Sequence, residues 1–260
     1  MSPAADSALN DAIHQNLLRA MLRIGSLTER SAAARVGPWL LIDAGVDEPR
    51  FNVALTAGPI SDVAGAVALA EAWFAARSAP FRFHLRDADA DLADAVRDRG
   101  FEVVESEPSM ARSIVGWAPP LAVGIAVRRA DSDADIRRYA EVDGPDWHEI
   151  TRGIARTARS FPDFELFLGV VEGVAVATSM AVITGDVVGV FNVQTQPRAR
   201  GHGFGTALTA AAMEAGRKRG ATTAALQATA MGLPVYEKMG FDRRYSYVVF
   251  APAGAGNPRH

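Results

Sequence analysis

Ten consecutive residues, Pro197-Arg198-Ala199-Arg200-Gly201-His202-Gly203-Phe204-Gly205-Thr206, carry the densest chemistry in the chain. They follow a β-like run ending near Thr195 and precede an alanine-rich helical stretch, TALTAAAMEAGRKRG. Alternating glycines at a strand-to-helix turn let the backbone approach a ligand closely and aim several N–H groups one way. Those groups lie at a helix N-terminus, where the dipole and unpaired donors favour phosphate. Arg198 and Arg200 are suited to charge-assisted bonds with a pyrophosphate. A glycine loop also serves as a bare tight turn, so the pattern needs support from its surroundings. Two other phosphate loops do not fit. The loop lacks the Gly-Lys-Ser/Thr ending of the nucleotide P-loop, and Thr206 stands where the dinucleotide fingerprint requires glycine.

The surrounding elements supply that context. FELFLGVVEGVAVATSMAVITGDVVGVFNV reads as three antiparallel strands, turned at Glu172-Gly173 and Gly185-Asp186. Before them, GIAVRRADSDADIRRYAEV predicts a short strand, an acidic helix start at Asp131 to Asp135, and a helix. After the loop come a helix, the short run TTAALQA, a second helix and the final strand residues YSYVVFAP.

The same order occurs earlier in the chain. FNV begins at Phe51 and again at Phe191, 140 residues later, and Gly100-Phe101 recurs as Gly240-Phe241 at the same offset. Glycine before phenylalanine marks a helix C-terminus in both copies. We read the chain as a duplication, although alanine-rich stretches match one another easily. The predicted division is residues 1–117, a linker at 118–122 containing Pro119-Pro120, and residues 123–260. At the offset, Arg200, Gly201, His202, Gly203 and Gly205 correspond to Ile60, Ser61, Asp62, Val63 and Gly65, and Tyr236 to Val96. The first copy is therefore expected not to bind the same ligand.

Bulk composition agrees with a globular protein. Of 260 residues, 49% are hydrophobic and 22% charged, enough for a sizeable core. A formal net charge of -3 gives no electrostatic case for nucleic acid or an anionic membrane. The absence of cysteine excludes disulfides, thiol nucleophiles and thiolate-held metals. His14, His84, His202 and His260 show no metal spacing, so no metal is expected. Neither a signal peptide nor a long apolar span is evident, which makes a cytoplasmic location the expectation.

The segment Arg200-x-x-Gly203-x-Gly205 resembles the Gln/Arg-x-x-Gly-x-Gly/Ala signature of the GNAT acyltransferases, which use acyl-coenzyme A. The resemblance extends from the strand before the loop to Tyr236 in PVYEKMGF. It implies an α+β fold of two GNAT-like domains, each a mixed, largely antiparallel sheet flanked by helices. The first would be the degenerate partner of a tandem arrangement. It also implies acetyl-CoA as cosubstrate, held by Val193, Thr195, Arg198, Arg200, Gly201, His202, Gly203, Phe204, Gly205 and Thr206. The Val193 N–H would polarise the thioester carbonyl. Tyr236 would be the general acid, although a tyrosine on an apolar helix also serves as plain core. Thr229 stands where relatives often have asparagine, a departure that weakens one coenzyme contact.

The general base is the thinnest part of the resemblance. The family's glutamate position falls on or near Gly189, which has no acid. Asp146, His148 and Glu149 in DGPDWHEI lie in a region that often walls the acceptor, and Glu149 is the candidate base. Each of the three also reads as an ordinary solvated loop charge. The expected function is direct transfer of acetyl from acetyl-CoA to an amine of a small molecule or peptide, with both substrates bound together. The alternative is an acetyl-CoA-binding sensor or scaffold with little turnover. A third reading, a synthase acting on a thiol or amino sugar, finds no selecting residue. The acceptor, acyl length and oligomeric state are left open.

Overall fold

The computed structural model describes residues 3–24, 30–45, 49–144, 153 and 160–254. Helix α1 (Pro3–Ile24) precedes strands β1 (Ala32–Val36), β2 (Trp39–Asp43) and β3 (Val53–Thr56). Then come α2 (Val63–Ala75), β4 (Arg82–Arg86), α3 (Ala90–Asp98) and β5 (Phe101–Ser113). The second half contains β6 (Ala126–Arg129), α4 (Asp133–Asp143), β7 (Phe164–Val171), β8 (Val174–Thr184) and β9 (Val187–Thr195). It continues through α5 (Phe204–Lys218), β10 (Thr223–Gln227), α6 (Leu233–Lys238) and β11 (Asp242–Pro252). From α2 to β5 and from α5 to β11, the elements recur close to the 140-residue offset.

Local chemistry explains the main boundaries. Glu172 and Gly173 both have positive φ, 49° and 82°, as a two-residue type I′ hairpin requires. Ser132 and Asp135 close a reciprocal capping box at the start of α4. Asp135 is further held by Arg128 at 2.5 Å, which keeps its carboxyl well below the usual range.

The sheet order, β1-β2-β3-β4-β11-β5-β10-β9-β8-β7-β6, joins both halves through continuous hydrogen bonding. Most neighbours are antiparallel, whereas β3–β4 and β9–β10 are parallel. The final strands are exchanged. β11, the end of the second half, pairs with β4 of the first, and β5, the end of the first half, pairs with β10 of the second. β5 and β11 also pair with each other, from Phe101↔Pro252 to Ala111↔Asp242.

One face of the sheet is covered by α2, α3, α5 and α6. There Trp39, Phe74 and Phe83 anchor the first-half core, and Met110, Leu208 and Met213 the second. On the opposite face, α1 crosses the seam between the halves. Its Ile13 packs on Ala111, Val187 and Ala225, while Leu17 and Leu18 pack on Val53, Leu55 and Tyr247. His14 Nε2 lies 2.7 Å from the Thr56 carbonyl, and its Nδ1 lies 2.6 Å from the Tyr247 hydroxyl. No described helix is long and apolar enough to cross a membrane.

Candidate active site

The parallel β9–β10 ladder runs from Val187↔Thr223 to Gly189↔Ala225 and then stops, so the strands part beyond Gly189. On the other edge of β9 the register with β8 shifts between Thr178 and Met180. This bulge lets Phe191 and Asn192 both project to the α4 side of the sheet: Phe191 packs against the cluster that contains Tyr139, while Asn192 bonds to α4 side chains. Asn192 has φ 48°, a left-handed conformation that asparagine tolerates better than most side chains. Its Nδ2 donates to the Tyr139 hydroxyl oxygen at 3.1 Å and to Asp143 at 2.8 Å. Thr178 also donates to Asp143, at 3.1 Å. Burial, reinforced by the Asp143 charge, pushes the Tyr139 phenol well above its ordinary pKa and keeps it neutral.

The bulge fixes the backbone leading into the glycine loop. The Gln196 N–H donates to the Val176 carbonyl at 2.9 Å, so strand alternation turns the main-chain groups of Thr195 and Val193 away from β8. In agreement, the Thr195 carbonyl accepts from Arg200 Nε at 3.2 Å. A short 3-10 turn, Pro197–Ala199, follows. Arg198 and Arg200 are exposed, with Arg198 donating to Gln196 at 3.2 Å. His202 donates from Nδ1 to the Arg200 carbonyl at 2.9 Å, and its ring stacks on Phe204.

Gly201 and Gly203 have φ 83° and 77°, where a side chain would strain the loop. Gly203 starts α5, and the first helical bond is Ala207 N–H to its carbonyl at 3.1 Å. No side chain caps this terminus. The amides of Phe204, Gly205 and Thr206 therefore form a donor cluster suited to phosphate. The Phe204 side chain itself belongs to the core, leaving its amide as the useful group. A Cβ on Gly205 would lie 3.7 Å from Thr195 Oγ1 and 3.9 Å from a Val193 methyl, so loop and strand meet at that point.

The matching helix of the first half is closed to such a ligand. The Asp62 side chain caps α2 by accepting from Gly65 N–H at 2.9 Å. A protein carboxylate thus occupies the place at α2 that α5 leaves open. At the tyrosine position, Val96 is buried in the first-half core.

Tyr236 lies on α6 with its ring edge toward Phe241, their centroids 5.9 Å apart. Burial pushes its phenol up to about 12. Thr209, one helical turn beyond Gly205, partly opposes that shift, although its buried hydroxyl meets no hydrogen-bond geometry with a described group. Gly232 makes room for the ring, because a Cβ there would stand 2.8 Å from Tyr236 Cε2. If the phenol has the acid role that the GNAT resemblance implies, Gly232→Ala should displace it and lower kcat about tenfold with little change in acetyl-CoA affinity, measured by steady-state kinetics and calorimetry. Thr229 is exposed and accepts from Gly232 N–H at 3.2 Å, holding the turn into α6. The structure thus joins Val193, Thr195, Arg200 and Gly205 but does not tie Thr229 to them. Asp146, His148 and Glu149 lie outside the described residues.

A family model described as Probable histone acetyltransferase Rv0428c C-terminal matches residues 30–249. The chain belongs to that family. Its architecture is that of a tandem GNAT protein. It is similar to a GCN5-related N-acetyltransferase from Kribbella flavida, with TM-score 0.71, 20% identity, and coverage of 94% of this chain and 96% of that one. It also resembles a tandem GNAT protein from the clavulanic acid biosynthesis pathway, with TM-score 0.63, 14% identity, and coverage of 95% and 97%. A GCN5-related N-acetyltransferase from Sphaerobacter thermophilus gives TM-score 0.62 and 17% identity over 93% and 92%. No curated protein matches the chain.

In this tandem GNAT frame, the Gly189 position has a definite steric cause. A Cβ there would stand 2.0 Å from Asn16 Oδ1 and 2.4 Å from the Phe191 ring. Asn16 is itself anchored by donation to the Val182 carbonyl at 2.9 Å. Gly189→Glu is therefore expected to destabilise the fold by about 1–3 kcal/mol without increasing activity, as read by denaturant unfolding and turnover. Sequence reasoning overlooked Tyr139, Asp143 and Asn192 as a group. The recurring FNV is the available signal, and as a repeat it marks Asn192 without showing its partners. In the first copy, buried Asn52 instead bonds Ala44 N–H at 2.9 Å and the Pro80 carbonyl at 2.8 Å. The repeated letter does separate work in the two halves.

Proposed function

We propose that the protein transfers an acetyl group from acetyl-CoA to an amine of a small molecule or peptide, with both substrates held together. The observation carrying this reading is the uncapped α5 terminus beside the parted β9 strand, contrasted with the Asp62-capped terminus of α2. The chemistry of the donor set fits acetyl-CoA. Amides from Gly201 to Thr206 and the exposed Arg198 and Arg200 suit its pyrophosphate, while outward groups of Val193 and Thr195 suit its amide arm. When bound, acetyl-CoA supplies an activated acetyl thioester. The Val193 N–H donates toward the carbonyl oxygen, and the Asn192–Tyr139–Asp143 bonds keep that donor oriented. Tyr236 holds a phenolic proton for the departing sulfur.

The test is thiol release by the full chain over an amine panel, paired with calorimetric acetyl-CoA binding. Amine-dependent thiol release supports transferase function. Tight binding with no release on any amine supports the sensor or scaffold reading, which the steric closure at Gly189 favours. Among the described residues no group of side chains is arranged to hold a metal ion, and the proposed reaction requires none.

A further inference from the structure

Strand exchange places β5 of the first half beside β10, so first-half side chains continue the sheet where β9 has parted from it. Ala111 packs with Ile13 of α1, and alternation puts Ser109, Glu107 and Glu105 on that same face. Register sets Glu107 across Tyr247 from Arg86, and Glu105 across Val249 from His84. Arg82 follows two residues along β4 on the same side. Phe191 and Asn192, at the open end of β9, also project to this side of the sheet.

The row is electrostatically incomplete. Arg82 is only 5% exposed, yet its guanidinium forms no ion pair and its Nε has no hydrogen-bond partner among the described residues. His84 Nε2 and Ser109 Oγ are also buried without a hydrogen-bond partner among the described residues. Burial, with repulsion from Glu105, pushes the Glu107 carboxyl up to about 7. The positive field of Arg82 reaches Glu107, but the two form no salt bridge. Burying unpaired charge costs stability, and direct pairing would have relieved it. Arg86, the other cation of the row, pairs with Asp11 of α1 at 3.1 Å, so the unpaired Arg82 and the two carboxylates kept apart on one face instead complement a ligand that carries both signs.

We propose that Arg82, His84, Glu105 and Glu107 form the acceptor subsite, and that the acceptor is an amine which also bears an anionic group. The anion seats on Arg82 and the ammonium faces Glu107, where it relieves the repulsion between the two carboxylates. This rests on the reading of the α5 loop as the acetyl-CoA site, and makes the first half part of the acceptor wall.

The test measures thiol release with matched amines: β-alanine against n-propylamine, α-amino acids against their decarboxylated amines, and glucosamine 6-phosphate against glucosamine. The expected result is at least about tenfold higher kcat/KM for the anion-bearing member of one pair type, with the pair type separating carboxylate from phosphate. Arg82→Gln should lower kcat/KM for the anion-bearing member at least about tenfold more than for its neutral counterpart, with the calorimetric acetyl-CoA Kd unchanged. Glu107→Gln, at a half-buried position, should raise KM for every amine but not for acetyl-CoA. It carries the test if Arg82→Gln loses its melting transition. No preference for anionic members, or an equal Arg82→Gln loss on both members, overturns the proposal. Failure of the wild type to bind acetyl-CoA overturns the loop assignment, and this subsite with it.

Discussion

Tyr236→Phe is expected to lower kcat about 100-fold while leaving the calorimetric acetyl-CoA Kd unchanged, the magnitude typical of losing a positioned general acid. Phenylalanine keeps the ring against Phe241 and above Gly232, so the change removes a proton donor rather than core volume. Burial pushes the phenol up to about 12, so it keeps its proton at working pH. It stays protonated well above neutrality, and the protonated form declines only as pH approaches that value. A falling limb near pH 8 or 9 in the wild type would therefore belong to another group and should survive in Tyr236→Phe. Unchanged kcat in the variant would assign Tyr236 to packing alone.

Thr206→Glu is expected to weaken acetyl-CoA binding by about 100-fold or more, measured by calorimetry at low salt, because it sets an anion at the α5 terminus. The same substitution supplies an acid in the first helical turn, where it favours the helix. Thermal stability should therefore hold or rise while affinity collapses. That opposite movement separates a ligand site from a structural turn. It also reproduces at α5 what Asp62 does at α2, by a different side chain. Unchanged affinity would remove phosphate binding from this terminus.

The loop and the strands before it were legible because their information is local. Gly201, Gly203, the Glu172-Gly173 turn and the Ser132 cap each serve a backbone need within a few residues. The 140-residue offset carried the element order further, since paired copies share glycine-phenylalanine helix ends. Strand exchange was not legible. Phe101 opens β5 and Phe241 directly precedes β11, and nothing local to either tells the strand which β edge to join. The Tyr139–Asp143–Asn192 cluster was hidden for a related reason, since it joins residues about fifty positions apart. The partners of helix α1 were not legible for the same reason, since they lie far along the chain. Its Asn16, which closes the Gly189 position, acts across more than 160 residues.

The crossed final strands also set an order of events in folding. β11 follows every other described element in the chain, yet it fills the gap between β4 and β5. During synthesis, the first half must wait with both of those edges unpaired until β11 emerges. Such edges recruit other strands, and contacts between distant parts of a chain form slowly. The protein should therefore depend on chaperones while being made, and slow translation between α6 and β11 should promote its aggregation.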